Sequence, residues 1–107
     1  MKKIFVKDIL DVCNAELFCG DINLECNSFS NDTRKIVEKD IYIGIKGENF
    51  DGNNFFTEAF DKGAIGCILE KESFNTLNVD KNKFKDKTII YISHKNKKNY
   101  FKRVINV

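Results

Sequence analysis

Between Asp40 and Glu70 the chain reads as strand, helix, strand, and that order leaves few folds open. Asp40 to Lys46 alternates Ile41, Ile43 and Ile45 with Tyr42, Gly44 and Lys46, the period of two that separates the faces of a sheet. Gly44 leaves room on its face for another backbone to approach. Ala64 to Glu70 is almost continuously apolar, as in parallel strands covered on both sides. Between them, Phe55, Phe56, Ala59 and Phe60 give a helix over 54–62 its apolar side. Asn53 or Asn54 is placed to cap it, Lys62 sits in its last turn, and Gly63 can close it in the left-handed conformation. Two strands and a helix within about 30 residues make a right-handed βαβ unit.

The flanks extend this unit. Phe5, Ile9 and Val12, widened by Leu10 and Cys13, predict an amphipathic helix over 3–13 that stops at Asn14. Glu16 to Cys19 and Leu24 to Ser30 read as short strands around an Asp21-Ile22-Asn23 turn. Thr88 to Ile92 reads as a final strand, whereas residues 72–87 lose periodicity. A chain of 107 residues suffices for one domain. The expected class is α/β: a small three-layer domain with a mixed, largely parallel sheet over residues 1–92, followed by a basic tail, 93–107.

Several chemistries are excluded by what is missing. No G-x-x-x-x-G-K-S/T phosphate loop, G-x-S-x-G elbow or H-E-x-x-H pair occurs. Cys13, Cys19, Cys26 and Cys67 form no C-x-x-C pair, and His94 is the single histidine, so they read as apolar filler of a reducing compartment rather than as zinc ligands. No apolar run approaches the roughly 20 residues of a membrane helix. Asp8 and Asp11 interrupt any leader-like start, so a cytoplasmic protein is expected. Charge divides unevenly: residues 1–80 hold 9 basic and 15 acidic side chains, residues 81–107 hold 9 basic and 1 acidic. Lysines interleaved with Phe84, Tyr91, Tyr100 and Phe101 give a second reading, a nucleic-acid-binding module. A solvated end is the simpler account of the tail, and nucleic acid is not the expected partner.

Two loops flank the central strand and offer the most chemistry. In the first, Asn31 and Asp32 favour a turn, Thr33 carries a hydroxyl, and Arg34 a planar fork suited to phosphate or carboxylate, or to a local ion pair with Asp32. In the second, Gly47 and Gly52 bracket Glu48, Asn49, Phe50 and Asp51, and successive backbone N–H groups there can face an anion. Convergence of the two on one ligand is the expectation.

Ser30-Asn31-Asp32-Thr33-Arg34, followed by Lys39-Asp40-Ile41-Tyr42-Ile43-Gly44-Ile45-Lys46-Gly47-Glu48-Asn49-Phe50-Asp51-Gly52, resembles the N-terminal domain of the Mur ligases. Those enzymes are ATP-dependent amide-bond ligases that build the peptide stem of cell-wall precursors. The family pattern runs D-S/T-R, a spacer, G-D-L/I-F/Y-V/I-A/G-L/I-K-G, a loop ending D-G-H, a helix and G-A. Phe55 to Phe60 and Gly63-Ala64 stand in the last two places. Asn53 stands where the family often has His, and Lys39 where it has Gly. Asn14 to Gly20 is similar to the start of the member that adds D-alanyl-D-alanine, with the member that adds the third stem residue second. The resemblance implies that this domain holds the uridine-diphosphate end of a UDP-N-acetylmuramoyl-peptide. It implies contacts from Asn31, Thr33 and Arg34 in the first loop and from Glu48, Asn49 and Phe50 in the second, with Arg34 and Asp51 at motif positions of architectural character. It assigns no catalytic residue to this chain. ATP and Mg2+ are implied only for the full-length enzyme, whose central and C-terminal domains have no counterpart here, so a non-catalytic fragment is expected.

Overall fold

The computed structural model describes residues 3–93. The basic tail and His94 lie outside the described residues, apart from Ser93. The chain opens with a two-residue strand, β1 (Ile4–Phe5), leading into helix α1 (Val6–Cys13). Strands β2 (Glu16–Cys19), β3 (Glu25–Cys26), β4 (Ser28–Ser30) and β5 (Asp40–Ile43) follow, then helix α2 (Phe56–Asp61), strand β6 (Gly66–Glu70), helix α3 (Lys71–Thr76) and strand β7 (Thr88–Ile92). Five strands form one sheet in the order β2-β7-β6-β5-β4, with β1 and β3 pairing separately. Strands β4 to β7 are mutually parallel and β2 is an antiparallel edge. The class expected from sequence, a mixed and largely parallel α/β sheet, is the one observed.

The sheet is covered on both faces. Val6, Ile9 and Cys13 of α1 pack with Cys26, Ile41, Ile43, Ile68, Ile90 and Ile92. Phe56, Ala59 and Phe60 of α2 and Phe74 of α3 pack with Tyr42, Cys67, Leu69 and Ile89 on the other side. Alternation along β5 therefore sends Ile41 and Ile43 to one core and Tyr42 to the other, as the period of two requires. All four cysteines are free and buried. Burial pushes the Cys67 thiol well up and that of Cys26 up to about 11, so both are held as thiols.

Several boundaries differ from expectation. Ile4 and Phe5 are not helical: they pair with Cys26 and Glu25, and the Phe5 N–H donates 2.8 Å to the Asp8 carboxylate, so the helix starts at Val6. The buried stripe is then Val6, Ile9 and Cys13, and Val12 is exposed. Residues 24–30 do not make one strand. Asn27 divides them, β3 joining β1 and β4 joining the main sheet. β5 ends at Ile43 rather than Lys46, although the Gly44 N–H still donates to the Ile68 carbonyl at 2.9 Å; Gly44 abuts Asn53 closely, an added Cβ lying 2.9 Å from the Asn53 Cα. Residues 52–55 wind as a 3-10 turn, so α2 begins at Phe56. Asp51 caps that 3-10 turn, accepting from the Asn53 N–H, and α2 itself follows Phe55 with no side-chain cap from either asparagine. α3 falls in the segment without clear periodicity and is held by Phe74. Asn14 (φ 51) and Gly63 (φ 112) adopt the left-handed conformation expected of helix stops.

Candidate functional site

β4 and β5 are neighbouring parallel strands, so the loops that follow them leave from the same end of the sheet, where ligands of open α/β sheets bind. The first loop is a tight polar turn. The Asp32 carboxylate accepts from the Arg34 N–H at 2.9 Å, and the Asp32 carbonyl accepts from the Lys35 N–H at 3.0 Å. The Asp32 N–H donates to the Ser30 hydroxyl at 3.2 Å. Arg34 then folds back: Nε donates to Asp32 Oδ1 at 3.0 Å and Nη2 to Oδ2 at 2.9 Å. This paired guanidinium, with the backbone N–H of Arg34, lowers the Asp32 pKa to about 2. The turn-forming ion pair is therefore the reading of Arg34 that the structure bears out. The Nε edge of its fork is occupied, and only the far end of the guanidinium remains for an anion.

The second loop is a closed bracket. The Gly47 N–H donates to the Phe50 carbonyl at 2.7 Å, Lys46 bridges Asp51, and the Gly52 N–H donates to the Ile45 carbonyl at 2.9 Å. The buried Tyr42 hydroxyl donates to the Gly52 carbonyl at 2.7 Å, and burial raises its pKa to about 12. Space at 52 is tight: a Cβ would sit 3.0 Å from the Ile45 carbonyl oxygen and 3.1 Å from its nitrogen, so a side chain there has to push the bracket apart. Asp51 Oδ1 accepts from the Asn53 backbone and side-chain amides at 2.9 and 2.7 Å, and Oδ2 from the Ser73 hydroxyl at 2.9 Å. Burial pushes the Asp51 carboxyl up, but these donors and the charge of Lys46 outweigh it and hold its pKa below the usual value. Asn53, fully buried, accepts from the Glu70 N–H at 2.8 Å, and Glu70 accepts from the Lys46 N–H at 2.8 Å. The amides of Gly47, Gly52 and Asn53 are thus used within the fold, and the expected run of N–H groups facing an anion is not what these three form.

The two loops meet at a cleft of about 520 Å³ lined by Asn31, Asp32, Thr33, Arg34, Tyr42, Phe50, Phe55 and Glu58. Of the residues expected from sequence, Asn31, Thr33, Arg34 and Phe50 are brought together there. Glu48 and Asn49 are exposed at the tip of the second loop and are not part of the lining. Phe55, expected in the α2 core, is instead 37% exposed and stacks on Phe50, itself 61% exposed, with ring centroids 5.1 Å apart and planes 14° apart. The 3-10 turn rotates Phe55 out of the helical stripe and into the wall of the cleft. Sequence reasoning also missed Tyr42 and Glu58 as lining residues. Glu58 pairs with Lys62 one helical turn on, at 3.7 Å, so its spacing signals only an exposed helical ion pair. The cleft thus combines a flat aromatic wall with hydroxyl, amide and carboxylate groups, which suits a planar ring bearing hydroxyl groups. Among the described residues, no cluster of three or more His, Cys, Asp or Glu is arranged to hold a metal ion. Nor is any helix among them long and apolar enough to cross a membrane.

No protein-family model matches the chain. Among curated proteins, it is 39% identical over 66 residues to UDP-N-acetylmuramoyl-L-alanyl-D-glutamate–2,6-diaminopimelate ligase 1 of Clostridium acetobutylicum, a match covering 62% of this chain and 14% of that protein. It is 34% identical over 70 residues to the UDP-N-acetylmuramoyl-tripeptide–D-alanyl-D-alanine ligase of Buchnera aphidicola, covering 62% of this chain and 15% of that protein. The matched region is therefore about a seventh of the length of these relatives. Among solved structures, MurF from Acinetobacter baumannii superposes with a TM-score of 0.66 over 86% of this chain and 18% of that one, at 17% identity, a likeness of fold. The chain resembles the Mur ligases in sequence, MurE and MurF both among its matches, and it has the fold of the MurF N-terminal domain.

Proposed function

We propose that the cleft between the two loops holds the uridine-diphosphate end of a UDP-N-acetylmuramoyl-peptide, and that the chain serves as the substrate-holding part of an ATP-dependent peptidoglycan-precursor ligase. The observation that carries this reading is the shared cleft: Asn31, Thr33 and Arg34 of one loop and Phe50 of the other line a single hollow. Its volume lies within the roughly 300–1,000 Å³ usual for small-ligand sites. The Phe50–Phe55 wall offers a stacking face for uracil, while Asn31 and Thr33 can donate to and accept from ring and ribose groups. Glu48 and Asn49, beyond the lining, are positioned to meet only the part of a ligand that projects past the loop tip.

In this reading the chain performs no bond-making step. A whole ligase activates the stem carboxylate as an acyl phosphate, which an amine then attacks. ATP and Mg2+ act in that chemistry, and no residue here is assigned to hold them. Gripping the remote nucleotide handle fixes the reacting end in place, so binding energy far from the chemistry lowers its barrier. The D-alanyl-D-alanine-adding member is the preferred parent activity, and the cytoplasm its expected place.

Titration calorimetry tests the reading. Uridine, UDP and UDP-N-acetylmuramoyl-peptide should release heat on binding and ATP should not. Phe50→Ala should weaken uridine binding by about tenfold, since stacking on an aromatic ring contributes about 1–3 kcal/mol per base. Absence of heat with all three uridine compounds defeats the proposal.

A further inference from the structure

The two carboxylates that line the cleft, Asp32 and Glu58, are not equivalent. Asp32 is committed to its own turn. Its Oδ1 accepts from the Arg34 N–H at 2.9 Å and from Nε at 3.0 Å, and its Oδ2 accepts from Nη2 at 2.9 Å. Glu58 meets Lys62 at 3.7 Å, a loose pair with both side chains nearly half exposed, and such a pair holds a carboxylate weakly. Glu58 follows Phe55 by three residues. In 3-10 or α winding that spacing puts two side chains on one side, with Cβ atoms about 5–6 Å apart in an α-helix. Glu58 also lies near the buried Tyr42: burial raises the Tyr42 pKa to about 12, and the Glu58 charge is among those that add to it.

A planar ring laid on the Phe50–Phe55 wall therefore has an acceptor-only group beside it. The neutral lining groups discriminate less. The Thr33 hydroxyl and the Asn31 amide can each donate or accept, so they suit a hydroxyl and a phosphate alike. An ionised carboxylate only accepts. Its two oxygens match the two adjacent donors of a vicinal diol, and its charge repels an anion put in their place. An acidic side chain bonds the ribose 2′-hydroxyl of dinucleotides in other α/β folds on the same principle. A nucleoside joins a flat base to a sugar whose 2′- and 3′-hydroxyls are neighbours, so a base on the wall leaves the diol within reach of a residue one helical turn away.

We infer that Glu58 reads the sugar of a nucleoside whose base lies on the Phe50–Phe55 wall: its carboxylate accepts from the 2′- and 3′-hydroxyls and excludes a phosphate from either position. The inference rests on the function proposed above. It narrows the ligand of the cleft to a ribonucleoside with both of these hydroxyls free, whose substituent is carried on the 5′ carbon.

Calorimetry on the full chain tests this with two ligand pairs: uridine against 2′-deoxyuridine, and uridine 5′-monophosphate against uridine 3′-monophosphate. The proteins are the unmodified chain, Glu58→Gln and Lys62→Gln. The unmodified chain should bind 2′-deoxyuridine about tenfold more weakly than uridine, as expected for one hydrogen bond to a charged group. It should bind the 3′-monophosphate about tenfold more weakly than the 5′-monophosphate, as expected for like charges brought together near a protein surface. In Glu58→Gln both ratios should fall to about twofold or less, because a neutral amide bonds the hydroxyl more weakly and does not repel phosphate. Lys62→Gln breaks the same ion pair but keeps the carboxylate, so both ratios should persist. Equal affinity for uridine and 2′-deoxyuridine in the unmodified chain overturns the inference and leaves the cleft as a nucleoside site, and this comparison needs no variant. Ratios that survive Glu58→Gln, or that fall equally in Lys62→Gln, overturn it as well. If uridine itself does not bind the unmodified chain, the functional reading falls and takes the inference with it.

Discussion

Asn53→Ala is the substitution that most directly probes how the site is held. Asn53 is fully buried and makes two side-chain hydrogen bonds of opposite sense, donating to Asp51 at 2.7 Å and accepting from the Glu70 N–H at 2.8 Å. Alanine removes both partners at once. The Glu70 N–H, at the end of a fully buried strand, then loses this acceptor, and an unsatisfied buried donor costs about 1–3 kcal/mol. Loss of a donor to a carboxylate costs about 1.5–3 kcal/mol where water cannot replace it. Because Asp51 keeps the Asn53 backbone N–H and the Ser73 hydroxyl, the two losses do not add in full, and a total near 3 kcal/mol is expected. Urea unfolding followed by far-ultraviolet circular dichroism should show the midpoint falling by about 1.5–2 M, with the melting temperature lower by roughly 12–20 °C. The companion Asn53→Asp keeps an acceptor for Glu70 but sets a second carboxylate against Asp51. Its deficit should shrink as pH falls below about 4, when the like charges are neutralised. A loss under about 1 kcal/mol for Asn53→Ala, with an unchanged m-value, would show that water satisfies these groups and that the bracket does not hold the loop.

Other expectations are simpler. Lys39 holds φ at 72°, a conformation that disfavours side chains, so Lys39→Gly should raise stability by about 0.5 kcal/mol in the same urea assay, strain relief exceeding the added chain entropy. Gly44→Ala should lower it by about 2 kcal/mol, since the new Cβ meets the Asn53 backbone at 2.9 Å and Leu69 at 2.8 Å. Asp32 should titrate near 2 by carboxyl NMR, and Arg34→Ala should return it towards the ordinary carboxylate range. Because its folded pKa is depressed, the stability Asp32 gains from Arg34 is present above its unfolded pKa and is lost as pH falls towards 2, so acid sensitivity in that window should be smaller in Arg34→Ala.

Legibility in the sequence followed burial on two sides. β5, β6 and β7 are buried on both faces, so their apolar runs announce parallel strands without help from loops. β1 was hidden because Ile4 and Phe5 suit a helix stripe as well as a strand, and only their pairing with Glu25 and Cys26 decides between them. α3 has six residues, too few for a periodic signal, although Phe74 and Leu77 are one turn apart. Within the site, Asn31, Thr33 and Phe50 were legible as loop residues of a matching motif. Phe55 was not, because its spacing to Ala59 is helical and only the 3-10 winding of residues 52–55 turns it outwards. Tyr42 was legible as one face of a strand, but its hydroxyl partner, the Gly52 carbonyl, belongs to the fold and not to the pattern.

The way the second loop spends its backbone has a consequence for specificity. A glycine-bracketed loop before a helix ordinarily offers free N–H groups to phosphate, and recognition is then shared by any sequence that keeps the backbone path. Here the amides of Gly47, Gly52 and Asn53 are bonded to Phe50, Ile45 and Asp51. α2, only six residues long and preceded by a 3-10 turn, adds little dipole at the cleft. The side chains that line the cleft then carry much of the recognition: two stacked rings, a hydroxyl, an amide, the Glu58 carboxylate and the end of one guanidinium. Conserving the fold while changing Phe50, Phe55 or Asn31 should therefore change which ligand is bound, and changing Gly52 or Asn53 should change whether the loop exists to bind it. Those two groups of variants should separate cleanly, the first in affinity at constant melting temperature and the second in both together.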